Sequence, residues 1–289
     1  YSTRELSDTL AHSCSLQGRK SISIWALQLG QTYSLSSEPL IETGSQTKQE
    51  QATTSLNAAR PLGRDLTLEL GATQNLRFAG TLGDTFEWST TDWLGYTLSP
   101  QLSTGLGVGA GYVDVSTAPN TSYQRFLGRL GWKITRKIGL DFNGGIELRQ
   151  STASGATTTS SPTYSATLGY EPFEHTKISI TGGQSVSVSL FQSQLTDTKS
   201  WSASLAQRLL GRLNFGANYS EQRSNSLGGL GIIAVDRNDE AKSLNLSLAA
   251  VLLRRVNVSV SYQHKKNASN LAGYGFSSNQ VSATLAYSF

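Results

Sequence analysis

Alternation with a period of two, repeated in segment after segment, is what most restricts the fold open to this chain. In "RLNFGANYSEQ", Leu213, Phe215, Ala217 and Tyr219 share one face, while Asn214, Gly216, Asn218 and Ser220 share the other. "RVNVSVSYQHK" repeats this with Val256, Val258, Val260 and Tyr262 against Asn257, Ser259, Ser261 and Gln263. Leu244, Leu246 and Leu248 do the same, as do Val281, Ala283, Leu285, Tyr287 and Phe289. Successive side chains point to opposite faces only in extended backbone, whereas a helix needs apolar residues at spacings of three and four. The chain is therefore read as all-β.

A longer repeat orders these strands. Short turns centred near Leu62, Pro100, Arg136, Phe173, Leu210 and Arg254 follow one another at intervals of 38, 36, 37, 37 and 44 residues. Each interval holds an outgoing strand, a loop rich in Gly, Ser and Asn, and a returning strand. Strands joined alternately by tight turns and longer loops have the layout of a transmembrane up-and-down antiparallel β-barrel. Fourteen strands are expected, near 21–35, 48–60, 64–78, 84–98, 102–116, 122–134, 138–150, 161–171, 176–190, 198–209, 212–224, 241–252, 255–266 and 278–289. A further turn is read at 16–21, and residues 3–16 have the layout of a fifteenth strand. Barrels of this kind close with even strand numbers. Residues 1–20 are thus either a periplasmic arm on a 14-strand barrel formed by 21–289, or an extra N-terminal strand of a 16-strand one that lacks a strand before Tyr1. The second arrangement is preferred.

Composition says which face looks where. The chain is 37% hydrophobic and 15% charged, with mean hydropathy −0.26, and no run approaches the roughly 20 apolar residues of a membrane-spanning helix. In a bilayer every backbone polar group must be paired, so strands cross only as a closed sheet with apolar faces outward. A soluble β-sandwich, the competing architecture, would turn its large apolar residues inward. The polar face carries Glu69, Glu87, Arg125, Arg129, Asp141, Glu147, Arg149 and Lys265, which are expected to line a lumen. The apolar face carries Trp88, Tyr96, Trp132, Tyr170, Trp201, Tyr219, Tyr262 and Tyr287, placed as interfacial girdles. Fourteen to sixteen tilted strands enclose a bore roughly 28–32 Å across at the backbone.

"STGLGVGAGYVDV" tests this reading, because Gly105, Gly107 and Ala110 satisfy a dinucleotide-type G-x-G-x-x-A. That fingerprint needs a tight turn and a helix whose N-terminus meets the phosphates. Here Gly105, Gly107, Gly109 and Gly111 alternate with Leu106, Val108, Ala110 and Tyr112, so the motif is a strand with a glycine face. That face is expected either to leave a smooth strip on the lumen wall or to give a neighbouring strand or loop room to approach. Enzymatic chemistry is not expected. His12, His175 and His264 lack an orienting carboxylate at a useful spacing, Cys14 is the single cysteine, and the carboxylates are dispersed without metal-ligand clustering. No cofactor or metal is therefore expected, and a net charge of +4 suggests no nucleic-acid partner.

Basic residues concentrate at the tight turns. Windows of four residues either side of the seven turn centres, Arg19 included, hold 12 of the 24 Lys and Arg but 3 of the 20 Asp and Glu. Arg60, Arg64, Lys133, Arg136, Lys137, Arg208, Arg212, Arg254 and Arg255 are read as a basic rim on the periplasmic side. Such a rim meets anionic lipid headgroups, or forms an electropositive mouth that gathers anionic solutes or a charged polymer.

The final stretch "SSNQVSATLAYSF", with Leu285, Tyr287 and Phe289 at alternate positions, resembles the closing strand by which bacterial outer-membrane barrels are recognised by the barrel-assembly machinery. The longer C-terminal segment from "VDRNDEAKSLNLSLAAVLLRRVNVSVSYQHKKN" onward resembles the beta-barrel porin 2 family of Gram-negative outer-membrane barrels, some of them linked to exopolysaccharide secretion. The resemblance implies an outer-membrane pore with no catalytic residues. Its expected role is passive passage of polar or anionic solutes, or service as the exit channel of an exopolysaccharide beside periplasmic export components. The alternatives are a structural barrel anchoring a surface assembly and an autotransporter-type translocator. Residues 226–240, with the apolar centre "LGIIAV", are the one candidate for a plug, expected either to fold into the bore or to meet a partner.

Overall fold

The computed structural model describes residues 11–39, 46–80, 83–116, 118–152, 158–188, 194–229, 237–252 and 256–287. These form fifteen strands in one antiparallel sheet whose spatial order is the chain order. They are β1 (His12–Ile22), β2 (Trp25–Pro39), β3 (Gln46–Pro61), β4 (Leu66–Phe78), β5 (Thr85–Ser99), β6 (Leu102–Val115), β7 (Ala118–Lys133) and β8 (Ile138–Ser151). β9 (Thr159–Phe173), β10 (Thr176–Val188), β11 (Gln194–Leu209), β12 (Leu213–Gly229), β13 (Asn238–Leu252), β14 (Val256–Ser269) and β15 (Phe276–Tyr287) complete the meander. No α-helix occurs among the described residues, so no helix is available to cross a membrane. Among these residues, β1 and β15 each pair with one neighbour only.

Local chemistry explains the hairpin ends. In the turn after β7, the Thr135 hydroxyl accepts hydrogen bonds from the backbone N–H of Lys137 (3.1 Å) and Ile138 (3.0 Å). In the turn before β12, Leu210 and Gly211 both adopt positive φ (49° and 69°). There the Arg208 guanidinium donates to the Gly211 carbonyl at 2.7 and 3.0 Å. The fourteen expected strands occur as β2 to β15. The N-terminal expectation needs correction: the reversal falls at Ser23–Ile24, with Ser23 at φ 55°, and residues 16–21 lie within β1 instead of in a turn. Cross-strand pairing with β2 along the whole of β1 overrides the turn-like composition of "LQGRKS".

Register divides the sheet into two chemically distinct faces. One row runs Glu69–Trp93–Gly107–Leu127 across β4 to β7, and the adjacent row runs Leu70–Asp92–Val108–Phe126 on the opposite face. Curvature identifies the inner face. Arg129 of β7 reaches Glu69 of β4 at 2.7 Å, although three strand spacings amount to roughly 14 Å of flat sheet. The long side chains span it lying against this face, where Glu147 and Tyr123 are only 1% and 2% exposed, the burial expected on the concave side of a single sheet. The convex face instead displays Leu106 (75% exposed), Phe126 (56%), Val108 (54%) and Ile146 (52%). An apolar convex face over a polar concave one is the reverse of a soluble β-sandwich, and it is the arrangement of a sheet built to face lipid.

Candidate functional site

The inner wall of β4 to β8 is where the charged residues of the polar face come together. Glu69, Gly105, Gly107, Gly109, Arg125, Arg129, Asp141, Glu147 and Arg149 all fall on it, by direct pairing across β4 to β8. Two layers of side chains lie flat against this wall. In the layer nearer the tight turns, the Arg129 guanidinium forms a two-pronged hydrogen-bonded pair with Glu69, both contacts at 2.7 Å. Its path crosses Gly105 and Gly95, where an added methyl group would stand 2.8 and 2.6 Å from the guanidinium nitrogens. Trp93 flanks the same guanidinium at 4.8 Å and rests on Gly107, where a methyl would meet its ring at 2.7 Å. The glycine strip is therefore a floor under the neighbouring strands' side chains. It is not an empty track.

The second layer, nearer the loop end, is more deeply buried. Glu147 is 1% exposed and accepts from Arg125 (2.7 Å) and from Arg149 (2.8 Å). Both guanidinium groups lie over the ring of Tyr123, at 4.3 and 4.8 Å. The Tyr123 hydroxyl donates to Glu87 at 2.6 Å, and its ring covers Gly111. Two arginines, two carboxylates and one phenol thus form a neutral, mutually satisfied cluster. Val113 and Val115 pack against Tyr123 to close its apolar side. Asp141 stays apart, exposed and opposite Gly131. Lys265 lies on the inner face of β14, 5.9 Å from the Phe276 ring.

Sequence reasoning found the charges but missed Trp93 and Tyr123, the rings that hold them. Periodicity could have shown both on the polar face, yet aromatic residues were sought only on the apolar one. It also missed Asp92, an acid midway along β5 on the convex face between Leu70 and Val108. A recess of about 680 Å³ opens on the inner wall, its polar lining drawn from Arg19, Gln28, Asn57, Glu69, Thr73, Thr91 and Arg129. Arg19 and Lys20, counted with a tight turn in the sequence, belong to β1.

Of the proposed basic rim, Arg60, Arg64, Lys133, Arg136, Lys137, Arg208 and Arg212 all lie at the tight-turn end of the sheet. Arg60 leans over Trp25 at 5.7 Å, and Lys137 donates to the Pro172 carbonyl at 2.6 Å. Arg254 and Arg255 lie outside the described residues, as do Phe289 and residues 230–236 of the 226–240 segment. Leu285 is 74% exposed on the convex face, and Tyr287 ends β15. His264 faces outward beside Asn279, 2.7 Å from its amide oxygen, and no cluster able to hold a metal occurs among the described residues.

No family model matches the chain, and no curated protein matches it in sequence. The fold, by contrast, is shared with solved structures of outer-membrane transporters and receptors. The FrpB iron transporter from Neisseria meningitidis superposes with a TM-score of 0.64 at 10% identity, covering 96% of this chain and 57% of that one. P. aeruginosa FpvA bound to heterologous pyoverdines gives 0.61 at 11% identity, with 96% and 52% covered. The alcaligin outer-membrane receptor FauA from Bordetella pertussis gives 0.51 at 12% identity, with 90% and 54% covered. The chain spans a little over half the length of each. The shared element is the up-and-down β-sheet of an outer-membrane barrel.

Proposed function

We propose that the chain forms the wall of a transport barrel in the Gram-negative outer membrane, its convex face against lipid and its concave face lining a passage for polar solutes. The observation that carries this is the segregation of the two faces. Across β4 to β8 the outward rows are mostly apolar and exposed, while inward Glu69, Glu87, Glu147, Arg125, Arg129 and Arg149 are matched into neutral clusters, and no group able to hold a metal occurs among the described residues. The proteins sharing the fold are named as transporters and receptors, which supports transport over anchoring. The test of class is direct. Purified in detergent, the protein gives a strand-dominated circular dichroism spectrum and migrates faster unboiled than boiled; a helical spectrum, or solubility without detergent, refutes it.

The finer reading keeps the solute hydroxyl-rich, as in an exopolysaccharide. Amides and hydroxyls of Gln28, Asn57, Thr73 and Thr91 share one recess with Arg19 and the Glu69–Arg129 pair, and they offer it uncharged donors and acceptors. Passive passage through an open bore predicts steady conductance in planar bilayers that added dextran fragments reduce. A silent bilayer with correctly folded protein favours the structural barrel.

A further inference from the structure

On the convex face, at the loop end of β11 to β14, cations stand where an antiparallel ladder ordinarily avoids them. Lys199 is directly opposite Arg223, and Lys242 is directly opposite Lys266. Like charges in directly opposed positions destabilise a sheet. Glu221 and Glu240 offset this only in part. They lie 3.0 and 3.9 Å from Arg223, and Glu240 lies 2.7 Å from Lys242. Lys199 and Lys266 form no ion pair among the described residues. The crowding is local, because the outward row Trp88–Tyr112–Ser122–Gln150 across β5 to β8 is uncharged.

Directly beside Lys199 the convex surface is hollow. A cleft of about 440 Å³ lies between Tyr164 and Trp201, with Ala166 and Gly182 as its floor and Lys199, Arg223 and the Arg223-paired Glu221 at its head, two cations to one carboxylate. A side chain at Gly182 would meet only the Ser200 carbonyl, at 3.8 Å. Tyr164 and Trp201 are 42% and 44% exposed, amphipathic rings at the level where headgroups begin. An apolar slot that opens away from the lumen and ends in two opposed cations suits an amphiphile with an anionic head, not a passing solute.

The geometry points to a binding site for a phosphorylated lipid, its acyl chain in the Tyr164–Trp201 cleft and its phosphate bridging Lys199 and Arg223. This rests on the membrane-embedded reading above. Phosphate oxygens supply the acceptor that Lys199 lacks and add to those Arg223 already meets in Glu221 and Glu240, and the bridge turns a repulsive cross-strand pair into an attractive one. Because the longer loops of such barrels face outward, the site lies at the outer leaflet.

The test is native mass spectrometry of the detergent-purified protein incubated with dioleoyl phosphatidic acid or dioleoyl phosphatidylcholine. The expected result is preferential retention of phosphatidic acid. The double substitution Lys199→Gln/Arg223→Gln lowers that retention roughly tenfold. Gly182→Leu, which fills the cleft from a lipid-facing position, lowers retention of both lipids. Equal retention of the two lipids by the unaltered protein overturns the site, as does unchanged retention in both variants. Displacement of phosphatidic acid by equimolar inorganic phosphate overturns it too, since the acyl chain would then contribute nothing. Heat-modifiable migration, run in parallel, separates failure of the site from failure of the barrel reading: the first leaves it intact, and the second abolishes it.

Discussion

Glu69 and Glu147 each pair with arginine on the same wall, but burial makes the two pairs different in weight. The Glu69–Arg129 pair is about one third exposed on both sides, and such pairs are worth little, of order 1 kcal/mol or less. Glu147 is sealed between two guanidinium groups, so its neutralisation leaves two cations facing each other with Arg149 only 5% exposed. Glu147→Gln is therefore expected to destabilise by about 3–5 kcal/mol, and Glu69→Gln by about 1 kcal/mol at most. Urea titration of the heat-modifiable form reads both; equal midpoints would refute the distinction. Gly107 offers a second test, because Trp93 occupies the space a side chain would need. Gly107→Val is expected to lower stability by about 1–3 kcal/mol through overpacking. In a Trp93→Ala background the same substitution should cost far less, and an unchanged penalty would show that the ring is not what it meets.

At the scale of a single element, β6 shows how one strand serves two solvents. From Gly105 onward its odd positions are glycines and valines beneath neighbouring side chains, and on the other face Leu106, Val108 and Tyr112 are 75%, 54% and 40% exposed. Val108→Asp puts a charge near mid-strand on the convex face, and it is expected to impair assembly by up to a few kcal/mol. β5 already carries such a charge, Asp92, directly opposite Val108. Asp92→Leu is expected to raise the urea midpoint, and a fall would mean that the carboxylate has a partner of its own. The strands run from 11 to 17 residues, and all but β1 exceed the roughly 9–11 a bilayer requires. The surplus at the loop end of β12 is where outward residues turn from Tyr219 to Glu221 and Arg223.

For the whole molecule, matched charges on the wall leave selectivity to the ends. Glu69 with Arg129, and Glu147 and Glu87 with Arg125 and Arg149, contribute little net field to the bore. The basic residues at the tight turns are not matched so closely. Reconstituted channels are therefore expected to prefer anions, more strongly in dilute salt, because the screening length is about 30 Å at 0.01 M and about 3 Å at 1 M. Replacing Arg64, Arg136 and Arg212 with Gln should remove most of that preference without narrowing the pore. Reversal potentials across a salt gradient measure it, and cation preference in the unaltered channel would refute an electropositive mouth.

Alternation, with the spacing of the tight turns, fixed the fold class and the fourteen strands from β2 to β15, and it set Glu69, Arg125, Arg129 and Glu147 on one face. The reason is local: with a period of two, the side a residue takes follows from its number once one neighbour is assigned. The first strand was misplaced because "LQGRKS" is turn-like in composition, and only pairing with β2 holds it extended. Nor could alternation show which side chains meet, since contacts such as Glu69 with Arg129 join residues 60 apart across three strands. The curvature of the sheet brings them together, and the glycines between them matter through the space they leave for Trp93, Tyr123 and Arg129. The opposed cations on the convex face were hidden for the same reason. Lys199 and Arg223 are unremarkable in the sequence and become a site only when register sets them face to face beside an open cleft.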